Sequence, residues 1–254
     1  MIVRKSAAEI EGMARAGELV AETIALVGEH VQPGITTGEL DRIADEHIRE
    51  RGVVPTSKGY RGFPAATCIS PNAMVVHGIP GKAKLQDGDI LSVDVGVTLD
   101  GFVADSAWTF PVGSISPEAQ RLLETCHAAL DAGIEQARAG NTIGDISQAV
   151  QSVTEAAGFS VIRSLVGHGV GRSMHEDPQV PNFVSAHRGP ELKEGMTIAI
   201  EPMITAGGPE VYIHDDDWSI STADGSLAAH FEHTVAVTAQ GPRILTGKTG
   251  VLVP

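Results

Sequence analysis

Residues 85–110, LQDGDILSVDVGVTLDGFVADSAWTF, decide how this chain folds. From Asp89 to Asp100 the pattern has a period of two. Leu91, Val93, Val95 and Val97 take one face, and Ile90, Ser92, Asp94 and Gly96 take the other. Such alternation predicts a strand. Asp100-Gly101 is a hairpin signal, because the tight turn between strands needs positive φ, so Phe102–Phe110 is expected to return as the partner strand. If Leu99 faces Phe102, then Asp105 falls opposite Gly96, on the face that carries Asp94. The two aspartates become diagonal neighbours, about 7–8 Å apart at the backbone with their side chains closer. Gly96 has no side chain to obstruct Asp105.

Working outward, the first ten residues of that stretch recur. LQDGDILSVD at 85–94 is echoed by LKEGMTIAIE at 192–201, which aligns Leu85 with Leu192, Gly88 with Gly195 and Asp94 with Glu201 at an offset of 107. Each copy follows a pair of predicted helices. In the first pair, Ile10, Met13, Val20, Ile24 and Val27 form a stripe from Ala7 to Glu29. Leu40, Ile43, Ala44 and Ile48 form the next, which ends near Gly52. After Pro117, Leu122, Leu123, Cys126, Leu130, Ile134 and Ala137 repeat the plan, followed by Ile146, Ala149, Val150 and Val153 up to Gly158. At the junctions Gly34, Thr36, Gly38 and Leu40 match Gly140, Thr142, Gly144 and Ile146 at an offset of 106, with Thr36 and Thr142 as helix N-caps. A near-constant offset across two helices and a strand reads as duplication. The expected class is α+β, with two pseudo-symmetric halves (about 1–115 and 116–254), an antiparallel sheet and flanking helices. No linker of Pro, Gly or Ser separates the halves, so 1–254 is read as a single domain.

Composition narrows the function classes. The 254 residues are 42% hydrophobic and 20% charged, ordinary for a globular chain, and the formal net charge is −14. That sign repels phosphate backbones and anionic membranes, so neither nucleic acid nor membrane is an expected partner. Cys68 and Cys126 are too few for a disulfide framework. With no secretory leader pattern and no bilayer-length apolar run, the expectation is a cytoplasmic protein.

Two carboxylates as close as Asp94 and Asp105 repel unless a cation or a shared proton intervenes. The duplication brings Glu201, on an apolar strand closed by Pro202, to the position matching Asp94. Glu232 lies in HFEHTVAVT, pointing away from the face formed by Phe231, His233, Val235 and Val237. His168 stands between glycines in VGHGVGRSMHE, read as a flexible stretch. Four oxygen donors and one imidazole suit two divalent ions of borderline hardness, such as Mn, Fe, Co or Zn. Without thiolates they do not make a structural zinc site. The residues alone support a metal site; an isolated acid on a strand more often faces water.

At these positions the chain closely resembles bacterial type I methionine aminopeptidases over essentially its whole length. The motifs are GYRGFPAATCISPNAMVVHGIP, VDVGVTLDGFVADSAWTF, GHGVGRSMHEDPQVPNF, MTIAIEPM and HFEHTVAVT. The resemblance implies the pita-bread (creatinase/aminopeptidase) fold of peptidase family M24 and a single catalytic domain. It implies two divalent metal ions on Asp94, Asp105, His168, Glu201 and Glu232, with Asp105 and Glu232 bridging. The implied reaction is removal of the initiator methionine when the second residue is small, with Glu201 as general base to a metal-activated water. It also implies that His77 and His175 contact substrate, His175 at the carbonyl or oxyanion and His77 at the peptide nitrogen or leaving group. Tyr60, Phe63, Cys68, His77 and Trp218 would line an apolar pocket suited to a thioether.

Two positions depart from the family pattern without touching the metal residues: Met174 stands where many relatives carry Phe, and Ser57 where some carry Cys. A bacterial-style catalytic domain is expected, without the Cys/His-bearing extension of eukaryotic type I relatives or the helical insertion of type II. Expected partners are nascent polypeptides and transient ribosome contact, with the protein a monomer. Two rival functions are a proline-directed peptidase on the same fold and a non-catalytic binder of nascent chains or ribosomes.

Overall fold

The structure, a computed structural model, describes residues 1–247; the domain expected over 1–254 therefore has its last seven positions, 248–254, outside the described residues. The first half contributes α1 (Ala7–His30), α2 (Thr37–Glu50), β1 (Val54–Pro55), β2 (Cys68–Pro71), β3 (Met74–Val76), β4 (Ile90–Leu99) and β5 (Phe102–Pro111). The second contributes α3 (Pro117–Glu135), α4 (Ile143–Ala156), β6 (Ser160–Val161), β7 (Gly167–Gly169), β8 (Glu176–Val180) and β9 (Thr197–Ile200). It continues through β10 (Met203–Thr205), β11 (Val211–Ile213), β12 (Ile220–Thr222), β13 (Ala228–His230), β14 (His233–Thr238) and β15 (Gly241–Ile244).

The hairpin forms in the register expected. Leu99 pairs with Phe102 and Gly96 with Asp105, in an antiparallel ladder unbroken from Ile90 to Pro111. Asp100 and Gly101 both take positive φ, as the turn requires. β4 also pairs with β1 and β2. In the second half the sheet order is β15-β14-β9-β7-β8. Two smaller sheets complete the fold, and in one of them β3 of the first half joins β12 and β11 of the second.

The helices bury their expected stripes. Met13, Val20, Ile24, Val27, Leu40, Ala44 and Ile48 are buried in the first pair; Leu122, Cys126, Leu130, Ile146 and Val150 are buried in the second. Thr36 accepts from the amide of Glu39, while Thr142 is capped in return by the carboxylate of Asp145. The duplication is also legible in the backbone. Gly34 N–H donates to Leu85 O at 2.8 Å, and Gly140 N–H to Leu192 O at 3.0 Å. Gly38 N–H donates to Gly81 O at 2.8 Å, and Gly144 N–H to Arg188 O at 2.7 Å. Gly34 and Gly140 share a left-handed φ of 93° and 95°, a conformation that a side chain would strain.

The halves meet where β5 lies against residues 230–234. Thr109 Oγ1 donates to His230 O (2.7 Å) and accepts from His230 N–H (3.0 Å). Thr234 Oγ1 does the same for Asp105, donating to its carbonyl (2.8 Å) and accepting from its amide (3.0 Å). Between them Glu232 N–H donates to Ala107 O at 2.9 Å. The result is a single antiparallel register across the seam, and it fixes the backbone of the acids below.

Candidate metal centre and active site

A cavity of about 310 Å³ opens between the halves. Asp94, Asp105, His168, Glu201 and Glu232 line it, and so do His77, His175, Tyr60, Phe63, Cys68 and Trp218, together with Met174 and Ser57. Three of these form a tight group: donor atoms of Asp105, His168 and Glu232 lie within 4.8 Å of one another. Glu201 joins them through its Oε1, 3.5 Å from His168 Nε2. Asp94 enters from the hairpin, on the face of β4 shared with Gly96, and its side chain meets that of Asp105. Gly96 leaves close room for Asp105: a Cβ there would lie 3.1 Å from Met174 Cε and 3.3 Å from Asp105 Oδ1, tight contacts with side-chain ends.

His168 sits in a short buried strand, β7, where a flexible stretch was expected. Its flanking glycines serve close packing, since a Cβ on Gly167 would meet Ala199 O at 2.4 Å and one on Gly169 would meet Asp177 O at 2.2 Å. Glu232 also differs from expectation, because the chain leaves strand geometry at Phe231 and Glu232 before β14 begins. Its carbonyl accepts from Ser106 Oγ, which holds the bend in place.

The electrostatics suit a cation. Asp94 Oδ1, Asp105 Oδ1 and Glu232 Oε1 are buried without a hydrogen-bond partner, which is rare for such atoms. Burial raises Asp94 to about 6. Asp105 is raised by burial and then by the charges of Asp94 and Glu201; Glu232 by burial and then by Asp105, Glu201 and Asp94. Glu201 is raised by burial and then by Asp94. A divalent cation removes each of these penalties, and a carboxylate-rich set with imidazole suits first-row divalent ions. Desolvation lowers His168 to about 4, so its ring is neutral at physiological pH. Its Nδ1–H donates to Gly169 O at 2.9 Å, leaving the Nε2 lone pair free for a metal.

Beyond these acids, Tyr60 OH contacts His175 Nδ1 at 2.8 Å, and the His175 ring lies 4.2 Å from that of His168. His77, held at a φ of 57°, meets Trp218 edge-on, and Phe63 packs against the same indole with ring centroids 5.1 Å apart. Burial, followed by the charge of His175, lowers His77 to about 4. Cys68 is paired in register with Asp94; burial, then that carboxylate, pushes its thiol well up, so it stays protonated and is no nucleophile.

Sequence reasoning missed His230. It lines the cavity with its Nε2 3.7 Å from Glu201 Oε2, and burial lowers it to about 3. Its sequence signal was nearness to Glu232, two positions on; parity fails here because the chain leaves strand geometry at Phe231. Arg61 and Met203 also line the cavity and were not singled out.

Residues 11–239 match Metallopeptidase family M24, and the chain belongs to that family. Within it, the similarity is to methionine aminopeptidases. The methionine aminopeptidase of Clostridium perfringens is 52% identical over 97% of this chain and 99% of its own length. Methionine aminopeptidase 1 of Bacillus subtilis is 47% identical with the same coverage. The crystal structure of methionine aminopeptidase from Thermotoga maritima superposes with a TM-score of 0.95 at 42% identity, covering 98% of this chain and 100% of that one. The pita-bread fold is therefore the fold of this chain. The prolidase from Pyrococcus furiosus shares that fold alone, with a TM-score of 0.78 at 23% identity over 97% of this chain and 66% of its own.

Proposed function

We propose that this chain is a methionine aminopeptidase that removes the initiator methionine from nascent polypeptides whose second residue is small. In this reading Asp94, Asp105, His168, Glu201 and Glu232 hold two divalent ions drawn from Mn, Fe, Co or Zn. The observation that carries it is the set of unpartnered, buried carboxylate oxygens of Asp94, Asp105 and Glu232 around a neutral imidazole, in one cavity. When bound, the ions lower the pKa of a water and polarise the scissile carbonyl.

The chain's own groups do the rest. Glu201, a cavity-lining carboxylate beside His168, is assigned to accept the water's proton. If Tyr60 donates its hydroxyl proton to His175 Nδ1, the imidazole carries its own proton on Nε2, available to the substrate carbonyl as it gains charge. His77, neutral through desolvation, is assigned to the peptide nitrogen. Tyr60, Phe63, Cys68, His77 and Trp218 offer the methionine side chain an apolar, polarizable wall.

The reading carries with it a cytoplasmic monomer, formed by a single catalytic domain, that meets nascent chains and contacts the ribosome transiently. Two facts are in keeping with it: no helix among the described residues is long and apolar enough to cross a membrane, and the net charge is −14. The test is to strip metals, return Mn, Fe, Co or Zn singly, and follow methionine release from Met-Ala-Ser. Release with at least one ion, and no cleavage of Xaa-Pro peptides, is expected. Silence with every ion would favour the non-catalytic binder.

A further inference from the structure

His230 is 2% exposed, and neither of its ring nitrogens has a hydrogen-bond partner among the described residues. A buried polar group left in this way is destabilising unless another state of the protein satisfies it. The fold takes care to place it. The reciprocal hydrogen bonds between its backbone and Thr109 are the same device that Thr234 applies to Asp105 across the same seam. His230 thus occupies, on the strand of the second half, the position that Asp105 occupies on that of the first. Its Nε2 lies 3.7 Å from Glu201 Oε2, while the other oxygen, Oε1, lies 3.5 Å from His168 Nε2. The carboxylate of Glu201 is bracketed by two imidazoles, and only His168 belongs to the proposed ligand set.

We infer that His230 is a positioning residue whose Nε2–H holds Oε2 of Glu201, keeping Oε1 turned toward the metal side of the cavity. An ionised carboxylate only accepts, so the contact requires the proton on Nε2 and leaves Nδ1 as a lone pair. A small rotation of the carboxylate closes the remaining gap. The inference rests on the role proposed above for Glu201.

The test compares His230→Phe, which fills the space without an N–H, with His230→Gln, which restores a donor. Both are first shown to fold by circular dichroism and thermal melting. In the Co(II)-loaded enzyme, His230→Phe is expected to lose roughly 10–100-fold in kcat with KM within about threefold, the scale for groups that orient metal ligands. Its Co(II) affinity, read by calorimetry, should fall, and the visible absorption of bound Co(II) should change. His230→Gln should return to within about threefold of the unmodified chain. Unchanged kcat and Co(II) spectrum in His230→Phe, or a His230→Gln as impaired as His230→Phe, would overturn the inference.

Should His230→Phe fail to fold, the imidazole nitrogen NMR spectrum of the unmodified Zn-loaded protein decides. An Nε2–H tautomer at residue 230 supports the role, and an Nδ1–H tautomer removes it. If the unmodified chain releases no methionine with any ion, the proposed function fails. The Co(II) titrations and the tautomer still report on His230.

Discussion

The two halves share a scaffold and differ in the chemistry placed on it. At the helix junctions the echo extends to individual hydrogen bonds, Gly38 to Gly81 and Gly144 to Arg188. At the site it breaks. The first half presents Asp94 and Asp105 on a hairpin of two unbroken ten-residue strands, with the buried thiol of Cys68 in register beside Asp94. In the second half β9 has four residues and stops before Glu201, and the neighbouring β7 supplies His168. Asp94 is accordingly surrounded by another carboxylate and a neutral thiol, and Glu201 by the imidazoles of His168 and His230. Duplication preserved what holds the backbone and released what faces the cavity. In the proposed function that divergence gives the matching carboxylates different work: Asp94 is assigned to hold metal charge, and Glu201 to accept a proton as well.

The largest effect expected comes from testing that division directly. Glu201→Gln should lower kcat on the order of 10³-fold, as loss of a general base does, and saturating metal should not restore it. Asp94→Asn should weaken metal binding by roughly 10–100-fold, with activity partly regained as metal is raised. Kinetics of both variants across a metal titration separate the roles. If excess metal rescues both equally, the two carboxylates are equivalent and the asymmetry has no chemical content.

Metal removal sharpens the comparison next. Bound metal should raise the melting temperature by mass action, equivalent to about 4 kcal/mol at a thousandfold excess over Kd. In the stripped protein Asp94, Asp105, Glu201 and Glu232 all have raised pKa values, Asp94 at about 6. Each therefore holds a proton in the folded state that the unfolded chain releases, and stability falls as pH rises through the folded pKa. As pH is lowered toward 6, the melting temperature of the stripped form should rise relative to that of the Mn-loaded form, which narrows the gap. Below about 6.5 a second set of groups acts in the opposite sense. His77, His168 and His230 are buried with lowered pKa values, so the unfolded chain takes up protons that the fold refuses. A gap that stays constant or widens as pH falls toward 6 would mean that the carboxylate cluster does not carry this strain.

These asymmetries also mark what the sequence could and could not reveal. The hairpin register was legible because Asp100-Gly101 fixes the turn and the turn fixes every pair after it, including Gly96 with Asp105. The helix junctions were legible because Gly and Thr at a constant offset have local causes. The strand around His168 was not: a Gly-flanked residue reads as flexible, and only the approach of Ala199 and Asp177 backbones shows why those glycines are small. His230 was hidden for a related reason. Its placement depends on Thr109, far away in sequence, and on a chain that leaves strand geometry at Phe231, so alternation alone could not carry its direction through. The full donor set, beyond Asp94, Asp105 and Glu201, came from resemblance, because a seam between halves has no local signature.

The smallest effect tests the part of the comparison that looks most symmetric. Gly38 and Gly144 occupy matching places in the first turns of α2 and α4. A Cβ on Gly38 would lie 2.9 Å from Gly81 O, and one on Gly144 would lie 2.9 Å from Arg188 Cα and 3.0 Å from Arg188 O. Both obstacles are backbone, which cannot step aside as a flexible side chain would. Alanine otherwise favours a helix over glycine by about 1 kcal/mol, so any net loss must come from this crowding. Gly38→Ala and Gly144→Ala should each cost about 1–3 kcal/mol in urea unfolding, the scale of overpacking, with kcat within about twofold. Equal costs would mean that both halves still depend on the same strap across the helix junction. A large cost at Gly38 with none at Gly144 would mean that the segment at Arg188 yields, and that the second half keeps the hydrogen bond without its rigidity.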